Sequence, residues 1–113
     1  MPAYIVAHVD VRDWEKYREY MKYTPRCIAQ FGGRFIARGG RAVTLEGPKE
    51  TERVVLIEFP SIERAEAFYR SEEYGRTKKL REGGGTARFV AIDGYDSPAW
   101  EADLHASRAM PAL

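Results

Sequence analysis

A histidine, a glutamate and several arginines occupy alternating positions in four segments of the sequence that predict β-strands. Because alternate residues of a strand point to the same face of a sheet, His8, Glu58 and these arginines can share one face. The arginines are Arg34, Arg38 and Arg88. We expect Arg38 to lie at one end of that face and the other four groups to meet at the opposite end.

Such a group of side chains offers acid–base chemistry beside an anion site. An imidazole next to a carboxylate can move a proton, so His8 and Glu58 are the candidate catalytic residues. A guanidinium can hold a carboxylate or an enolate through two parallel hydrogen bonds, which makes the arginines candidate ligand-binding residues. The alternative is that these groups form ion pairs at a dimer interface, where they fix the register between two chains.

Tyr69, Tyr74 and Arg81 form a second candidate ligand-binding group. Tyr74 and Arg81 are seven residues apart, a spacing that places both on the same side of a helix. Hydroxyl and guanidinium groups at the mouth of a cleft could orient an oxygenated ligand. The alternative is that Tyr74 packs the helix onto the sheet with its hydroxyl bonded internally, while Arg81 pairs with a nearby carboxylate.

The stretch RFIARGGRAVTLEG, residues 34–47, contains adjacent glycines that a phosphate-binding loop would also have. A dinucleotide fingerprint or a P-loop, however, leads from a strand directly into a helix. Here the residues after the glycines, including Val43 and Leu45, favour extended structure. Gly39-Gly40 therefore predicts a positive φ angle in a hairpin or a bulge rather than a phosphate site.

Composition narrows the functional classes. A chain of 113 residues is long enough for one domain, and its 18 basic and 17 acidic residues leave a net charge of +1. Such a charge provides no basic field for nucleic acid or an anionic membrane, and no apolar run is long enough to span a bilayer. The single cysteine, Cys27, and the histidines lack zinc-ligand spacing. We therefore expect a cytoplasmic protein without a metal or a bound cofactor.

The hydrophobic periodicity predicts the order β-α-β-β-α-β, with strands at residues 3–9, 34–38, 52–59 and 87–95. Between the first two strands, Thr24-Pro25 predicts two helical pieces that meet there, because proline interrupts one helix and favours the start of another. Ser61 and Ser71 are predicted to cap the later helical pieces. Residues 97–113 form a tail that is either a short helix docking on a partner chain or disordered.

This element order implies an α+β, ferredoxin-like fold, in which a four-stranded antiparallel sheet has its helices on one face. Right-handed crossovers place the first and third strands in the centre. The uncovered face would then carry a row of apolar side chains, namely Tyr4, Val6, Ile36, Leu56, Val90 and Ile92. Because such a patch is too large for a monomer in water, we expect a homodimer that forms through the open sheet face.

The segments FGGRFIARGG, LEG, RVVLIEFPSIERAEAFY, SEEYGRTKKLR and FVAIDGYD, in this order, resemble the bacterial family called domain of unknown function 1330. The resemblance covers residues 3–96 and implies a dimeric α/β barrel as a domain of residues 1–96. Tyr74, Arg81, Gly39-Gly40 and Glu46-Gly47 match characteristic positions of that family. Related barrels include cofactor-free monooxygenases, small isomerases and haem-dependent enzymes, so the resemblance implies no particular reaction, and haem at His8 would rest on fold analogy alone.

The sequence therefore predicts a small homodimer that binds a small oxygenated or carboxylated organic molecule in a pocket between the sheet and the helices. Whether the protein turns this molecule over stays open. A cofactor-free enzyme is one hypothesis, and a non-catalytic binding or stress-related module is the alternative. RNA binding is disfavoured, because the segment RVVLIEF offers aliphatic side chains where RNA-recognition domains present stacking aromatic ones.

Overall fold

The structure, a computed structural model that describes residues 1–113, contains the predicted order β-α-β-β-α-β, followed by one further helix. The strands are β1 (Ala3–Val11), β2 (Arg34–Arg38), β3 (Arg53–Phe59) and β4 (Gly85–Asp93). The helices are α1 (Trp14–Gln30), α2 (Ile62–Arg70), α3 (Glu72–Lys78) and α4 (Ser97–Arg108), with a 3₁₀ turn at Lys79–Arg81 after α3. None of these helices has both the length and the apolar character that crossing a bilayer requires.

The strands form one antiparallel sheet in the order β2-β3-β1-β4, which is the predicted ferredoxin-like arrangement with the first and third strands in the centre. Residues at odd positions of β1, such as Ile5 and Val9, are buried beneath the helices, whereas the even positions are half-buried. Helix α1 begins after Asp13, whose carboxylate accepts hydrogen bonds from the first turn. Ser61 and Ser71 cap α2 and α3 in the same way, as their sequence positions predicted.

The other side of the sheet, here called the open face, carries the six apolar residues that the alternation assigned to it. Val6 lies opposite Leu56 and Val90, and Tyr4 lies opposite Ile92. None of these side chains is buried, and Val90 and Ile92 are 41% and 55% exposed. The sequence prediction of an uncovered apolar face is therefore confirmed.

Helix α1 is continuous across Pro25, so the prediction of two separate helical pieces is wrong. Proline lacks the N–H that would bond to the carbonyl oxygen four residues earlier, which belongs to Met21. Two other donors satisfy that oxygen instead. Arg38 Nη2 donates to it over 2.8 Å, and Thr24 Oγ1 donates over 3.3 Å. A side chain from β2 thus replaces the missing helical hydrogen bond.

Strand β2 is short and irregular, and it ends at the glycine pair. Its pairing with β3 shifts by one residue between Phe35 and Ala37, as in a β-bulge. Gly39 follows with a φ angle of +67°, so the predicted positive φ is confirmed. The segment from residue 39 to residue 52 contains no strand, contrary to the expected extended continuation, and Leu45 within it is 93% exposed.

The C-terminal segment forms helix α4, whose first turn is capped by the carboxylate of Asp96. The Tyr95 hydroxyl donates a hydrogen bond to Asp103 and so ties the start of the helix to its own middle. No residue of α4 is buried, and Trp100 on this helix is more than half exposed. Helix α4 therefore contributes nothing to the core formed by the other elements.

Candidate functional site

The strand register divides the predicted group of His8, Glu58 and arginines into two. His8 lies opposite Arg88, whereas Glu58 lies opposite Tyr4 and Arg34. Tyr4 and His8 are four residues apart on β1, a distance of about 13 Å along a strand. His8, Glu58, Arg34 and Arg88 share the open face as expected, but the structure does not bring His8 and Glu58 together. Glu58 therefore cannot orient the imidazole, because the two lie towards opposite ends of the sheet.

Each half of the divided group has its own polar contact. Glu58 Oε1 accepts a hydrogen bond from Arg34 Nε at 3.1 Å, and Arg34 is largely exposed. His8 Nδ1 lies 3.6 Å from an oxygen of Glu50, a residue that the sequence did not suggest as its partner. Arg88 is exposed and makes no ion pair. These contacts agree better with the ion-pair alternative than with an enclosed acid–base pair.

Arg38 lies on the helix side of the sheet rather than on the open face. The bulge in β2 shifts the alternation by one residue, so that Arg38 lies opposite the buried residue Val55. Its guanidinium packs over the ring of Phe35, with the Cζ atom 4.1 Å from the ring centroid. Nη2 also lies 3.4 Å from Thr24 Oγ1, besides its bond to the carbonyl of Met21.

A narrow cavity, here called the crevice, lies between α1 and the sheet, and Arg38 is at its rim. Eleven of its fourteen lining residues are hydrophobic, among them Tyr17, Tyr20, Met21, Phe35, Phe68 and Phe89. The remaining three are Thr24, Arg38 and Arg53. The crevice has a volume of about 20 Å³, which is room for one water molecule. A larger molecule therefore needs one of the lining side chains to move.

Arg53 is a residue of the crevice that the sequence analysis missed. Its Nη2 donates to the carbonyl oxygen of Arg38 at 3.2 Å and lies 3.5 Å from Met21 Sδ. The guanidinium also packs against the rings of Trp14 and Tyr17, at 5.9 and 5.7 Å. Its Nε is buried and has no hydrogen-bond partner. The alternation of β3 could have indicated this residue, because Arg53 shares the helix-facing side of the strand with Val55 and Ile57.

Gly39 makes room for the Arg53 side chain. A Cβ atom placed on Gly39 would lie 2.0 Å from Arg53 Nη1, much closer than two such atoms can approach. Gly40, by contrast, has no atom within 4 Å of its added Cβ. The first glycine of the pair thus serves both a positive φ angle and the close approach of a guanidinium, and neither role involves phosphate.

The second predicted group comes together around Tyr74, which is buried. The Tyr74 hydroxyl bonds to the hydroxyl of Tyr20 at 2.6 Å, and the Tyr69 ring lies 5.4 Å from the Tyr74 ring. Lys78 Nζ donates to the Tyr69 hydroxyl at 3.4 Å. The sequence analysis did not connect Tyr20 or Lys78 with this group, and Tyr20 belongs to another helix.

Burial raises the pKa values of Tyr20 and Tyr74, and in Tyr20 the neighbouring Tyr74 raises it further. Both hydroxyls therefore stay protonated at neutral pH. Arg81 lies beside them, with its Cζ 5.1 Å from the Tyr20 ring centroid and with a buried Nε that lacks a partner. Burial lowers the pKa of Arg81, but the two tyrosine oxygens raise it by more, so the guanidinium keeps its charge.

The sequence profile of Domain of unknown function (DUF1330) matches residues 2–95. The chain belongs to this family. No curated protein matches the chain at a significant level.

Solved structures share the fold of this DUF1330 chain at low sequence identity. A protein of unknown function from Rhodopseudomonas palustris is 20% identical over 84% of this chain and 83% of its own, with a TM-score of 0.68. A cofactor-independent oxygenase from Streptomyces nogalater is 10% identical over 85% and 95% of the two chains, with a TM-score of 0.60. A dimeric protein of unknown function and ferredoxin-like fold from Bacteroides fragilis is 15% identical over 82% and 96%, with a TM-score of 0.50. These likenesses establish the fold.

Two other polar clusters of the DUF1330 chain surround Cys27 and His8. Burial raises the pKa of the Cys27 thiol, whose sulfur contacts Thr77 and Glu73 at 3.4 and 3.6 Å, so this cysteine is no activated nucleophile. His8, Glu50 and Glu52 each bring one potential metal-ligand atom within 4.8 Å of the others. All three are partly exposed, and no second observation points to a bound ion.

Proposed function

We propose that this DUF1330 protein is a homodimer that binds a small oxygenated or carboxylated organic molecule in the crevice beneath α1. The observation that carries the proposal is the crevice itself, which combines aromatic walls with a few polar groups at its rim and its inner end. Binding sites for small molecules have this composition. Arg38 and Arg53 supply cationic groups at the rim, and the protonated Tyr20 hydroxyl belongs to a wall of the same crevice.

The homodimer is supported by the apolar surface of the open face. Val6, Leu56 and Val90 form its centre, and a second copy of the same surface would remove them from water. The ferredoxin-like relative from Bacteroides fragilis is itself described as dimeric. In such a dimer, the rim of the interface would contain Arg34, Glu58, His8 and Arg88. The unburied helix α4 would dock on the partner chain.

A cofactor-free enzyme is the second candidate, because an oxygenase that needs no cofactor shares this fold. The buried tyrosine pair gives that candidate a specific group, since the protonated Tyr20 could donate a hydrogen bond to a ligand in the crevice. Tyr69, Tyr74 and Arg81 would then hold Tyr20 in position rather than contact the ligand.

We place the protein in the cytoplasm, where its single free cysteine stays reduced.

A thermal-shift screen tests the binding proposal. The panel contains small aromatic and aliphatic acids, amides, esters and alcohols, and a compound that binds the native state raises Tm. For each active compound, NMR chemical-shift changes are expected at crevice residues such as Tyr17 and Phe35. The proposal fails when no compound raises Tm, or when the shift changes fall on the open face instead.

A further inference from the structure

We propose that the crevice takes an organic monocarboxylate with a flat apolar body, and that Arg53, supported by Arg38, binds the carboxylate. This inference rests on the proposed function above and names the class of its ligand. It assigns the principal contact to Arg53, a residue that no sequence motif marks.

The charge balance of the crevice rim favours an anion. Neither Arg38 nor Arg53 is among the groups that form the seven ion pairs of the chain, so no carboxylate lies within 4.0 Å of either guanidinium. Both guanidinium groups contact Met21, Arg38 at its carbonyl oxygen and Arg53 at its sulfur. Arg53 is half-buried, and a partly buried charge without a counter-charge is unfavourable, so a bound carboxylate would relieve it.

The two arginines differ in the surroundings of their unused hydrogen-bond donors. Arg38 already uses Nη2 to satisfy the carbonyl oxygen that Pro25 leaves open, so its position is set by the helix. Arg53 likewise uses only Nη2, on the Arg38 carbonyl and the Met21 sulfur, but its Nε is buried without an acceptor, whereas Arg38 is exposed to water. A guanidinium edge with unused donors can hold a carboxylate through two hydrogen bonds. Arg53 is therefore the binding residue, and Arg38 is a positioning residue beside it.

The surroundings of the pair favour a flat apolar body on the ligand. Trp14 and Tyr17 flank Arg53, and Phe35 lies under Arg38, so aromatic faces surround the carboxylate position. Because the crevice holds only one water as it stands, a ring needs Met21 to move aside. Met21 is half-buried at the rim, and a methionine side chain repacks more easily than a branched or aromatic one.

The test compares carboxylates with their neutral amides. The probes are benzoate and phenylacetate against benzamide and phenylacetamide, measured by thermal shift and by titration calorimetry on the full chain. We expect the acids to raise Tm and the amides to have little effect. We also expect the affinity for the acids to fall with added salt, because screening weakens a charged contact.

Substitutions then test whether Arg53 is the residue that binds the carboxylate. Arg53→Met is expected to weaken benzoate binding at least tenfold, and Arg53→Lys to weaken it less, because lysine keeps the charge but loses the planar fork. Arg76→Met is the matched control, since Arg76 is an exposed arginine on α3 with only a 4.0 Å contact to Glu72. Unliganded Tm values show whether each variant folds, and the comparison of acids with amides needs no variant.

The outcomes separate the two proposals. If the amides bind as tightly as the acids, the carboxylate inference is overturned while the binding function stands. If acids bind but Arg53→Met behaves like Arg76→Met, the assignment to Arg53 is overturned. If no acid, amide, ester or alcohol binds at the crevice, the proposed function itself fails.

Discussion

Gly39 and Arg53 depend on each other at the scale of single residues. Gly39 has a φ angle of +67° and no side chain, and the Arg53 guanidinium occupies the space that a Cβ would need. The sequence correctly indicated a glycine with positive φ at this turn. It did not indicate the second role of the glycine, because the neighbouring side chain comes from fourteen residues further along the chain.

Gly39→Ala should therefore destabilise the protein by about 1–2 kcal/mol, through backbone strain and the displacement of Arg53. Urea unfolding measures this change, and the same variant should bind carboxylates more weakly. Gly40→Ala is the control, because nothing lies within 4 Å of its added Cβ. We expect the control to change stability by no more than about 0.5 kcal/mol. Equal losses in both variants would contradict the role of Gly39.

The buried tyrosine pair should make stability depend on alkaline pH. Burial holds the folded-state pKa values of Tyr20 and Tyr74 above their unfolded value of 10.0. The unfolded chain therefore releases these protons first, so the stabilisation is complete below about pH 10 and declines as pH rises further. Tyr74→Phe removes one of the two groups and should give a shallower decline between pH 9 and 11.5 in urea unfolding. An unchanged slope would show that the pair does not control alkaline unfolding.

At the scale of secondary-structure elements, a hydrogen bond to the Met21 carbonyl oxygen links β2 to α1. Pro25 removes the helical donor to this oxygen, and Arg38 of β2 supplies another at 2.8 Å. The sequence shows the proline but not the compensating arginine, so it suggests a break where the structure has a continuous helix.

A double-mutant cycle tests this compensation. Arg38→Ala should cost about 0.5–1.5 kcal/mol, the usual contribution of one hydrogen bond. In a Pro25→Ala background the residue 25 N–H can bond to Met21 again, so the loss of Arg38 should cost less. Both values come from urea unfolding, and equal costs in the two backgrounds would contradict the coupling.

Strand positions were largely predictable, and their register was not. Residues 34–38 form a strand as predicted, while β4 begins and ends two residues earlier than expected, because local alternation reports element position well but end points poorly. The expected meeting of His8 and Glu58 was an error of strand direction: in the predicted antiparallel sheet the end of β1, which carries His8, meets the start of β3, whereas Glu58 is near the end of β3. By contrast, the bulge that turns Arg38 towards α1 leaves no mark on residue alternation. Arg38 was therefore predicted as a ligand-binding residue but on the wrong face of the sheet, and Arg53 was missed although the alternation of β3 places it on the helix side.

At the scale of the complete protein, the open face bears on the oligomeric state, because its apolar side chains are exposed to water. The helices bury one side of the sheet, and an apolar band remains on the other. Neither Arg38 nor Arg53 belongs to this band, since both lie on the helix side at the crevice. The proposed dimer interface and the proposed ligand site are thus on opposite faces of one sheet and can be altered separately.

Val90→Asp should convert the proposed dimer to a monomer, because it places a carboxylate in the centre of the band opposite Val6. Light scattering after gel filtration at micromolar concentration measures the mass. Ala67→Asp is the control, since Ala67 is exposed on α2, on the helix side. Circular dichroism shows whether each variant retains its fold. A wild-type protein that is monomeric under these conditions would contradict the dimer.

The two tryptophans of the chain lie in the two regions whose roles are proposed here. Trp14 packs against Arg53 at the crevice rim, and Trp100 lies on helix α4. Indole fluorescence is sensitive to nearby charge and to water, so the protein carries its own optical probes. A Trp100→Phe variant would emit only from the crevice rim and would report its occupancy without a label. A Trp14→Phe variant would emit only from α4 and would report whether a partner chain covers that helix.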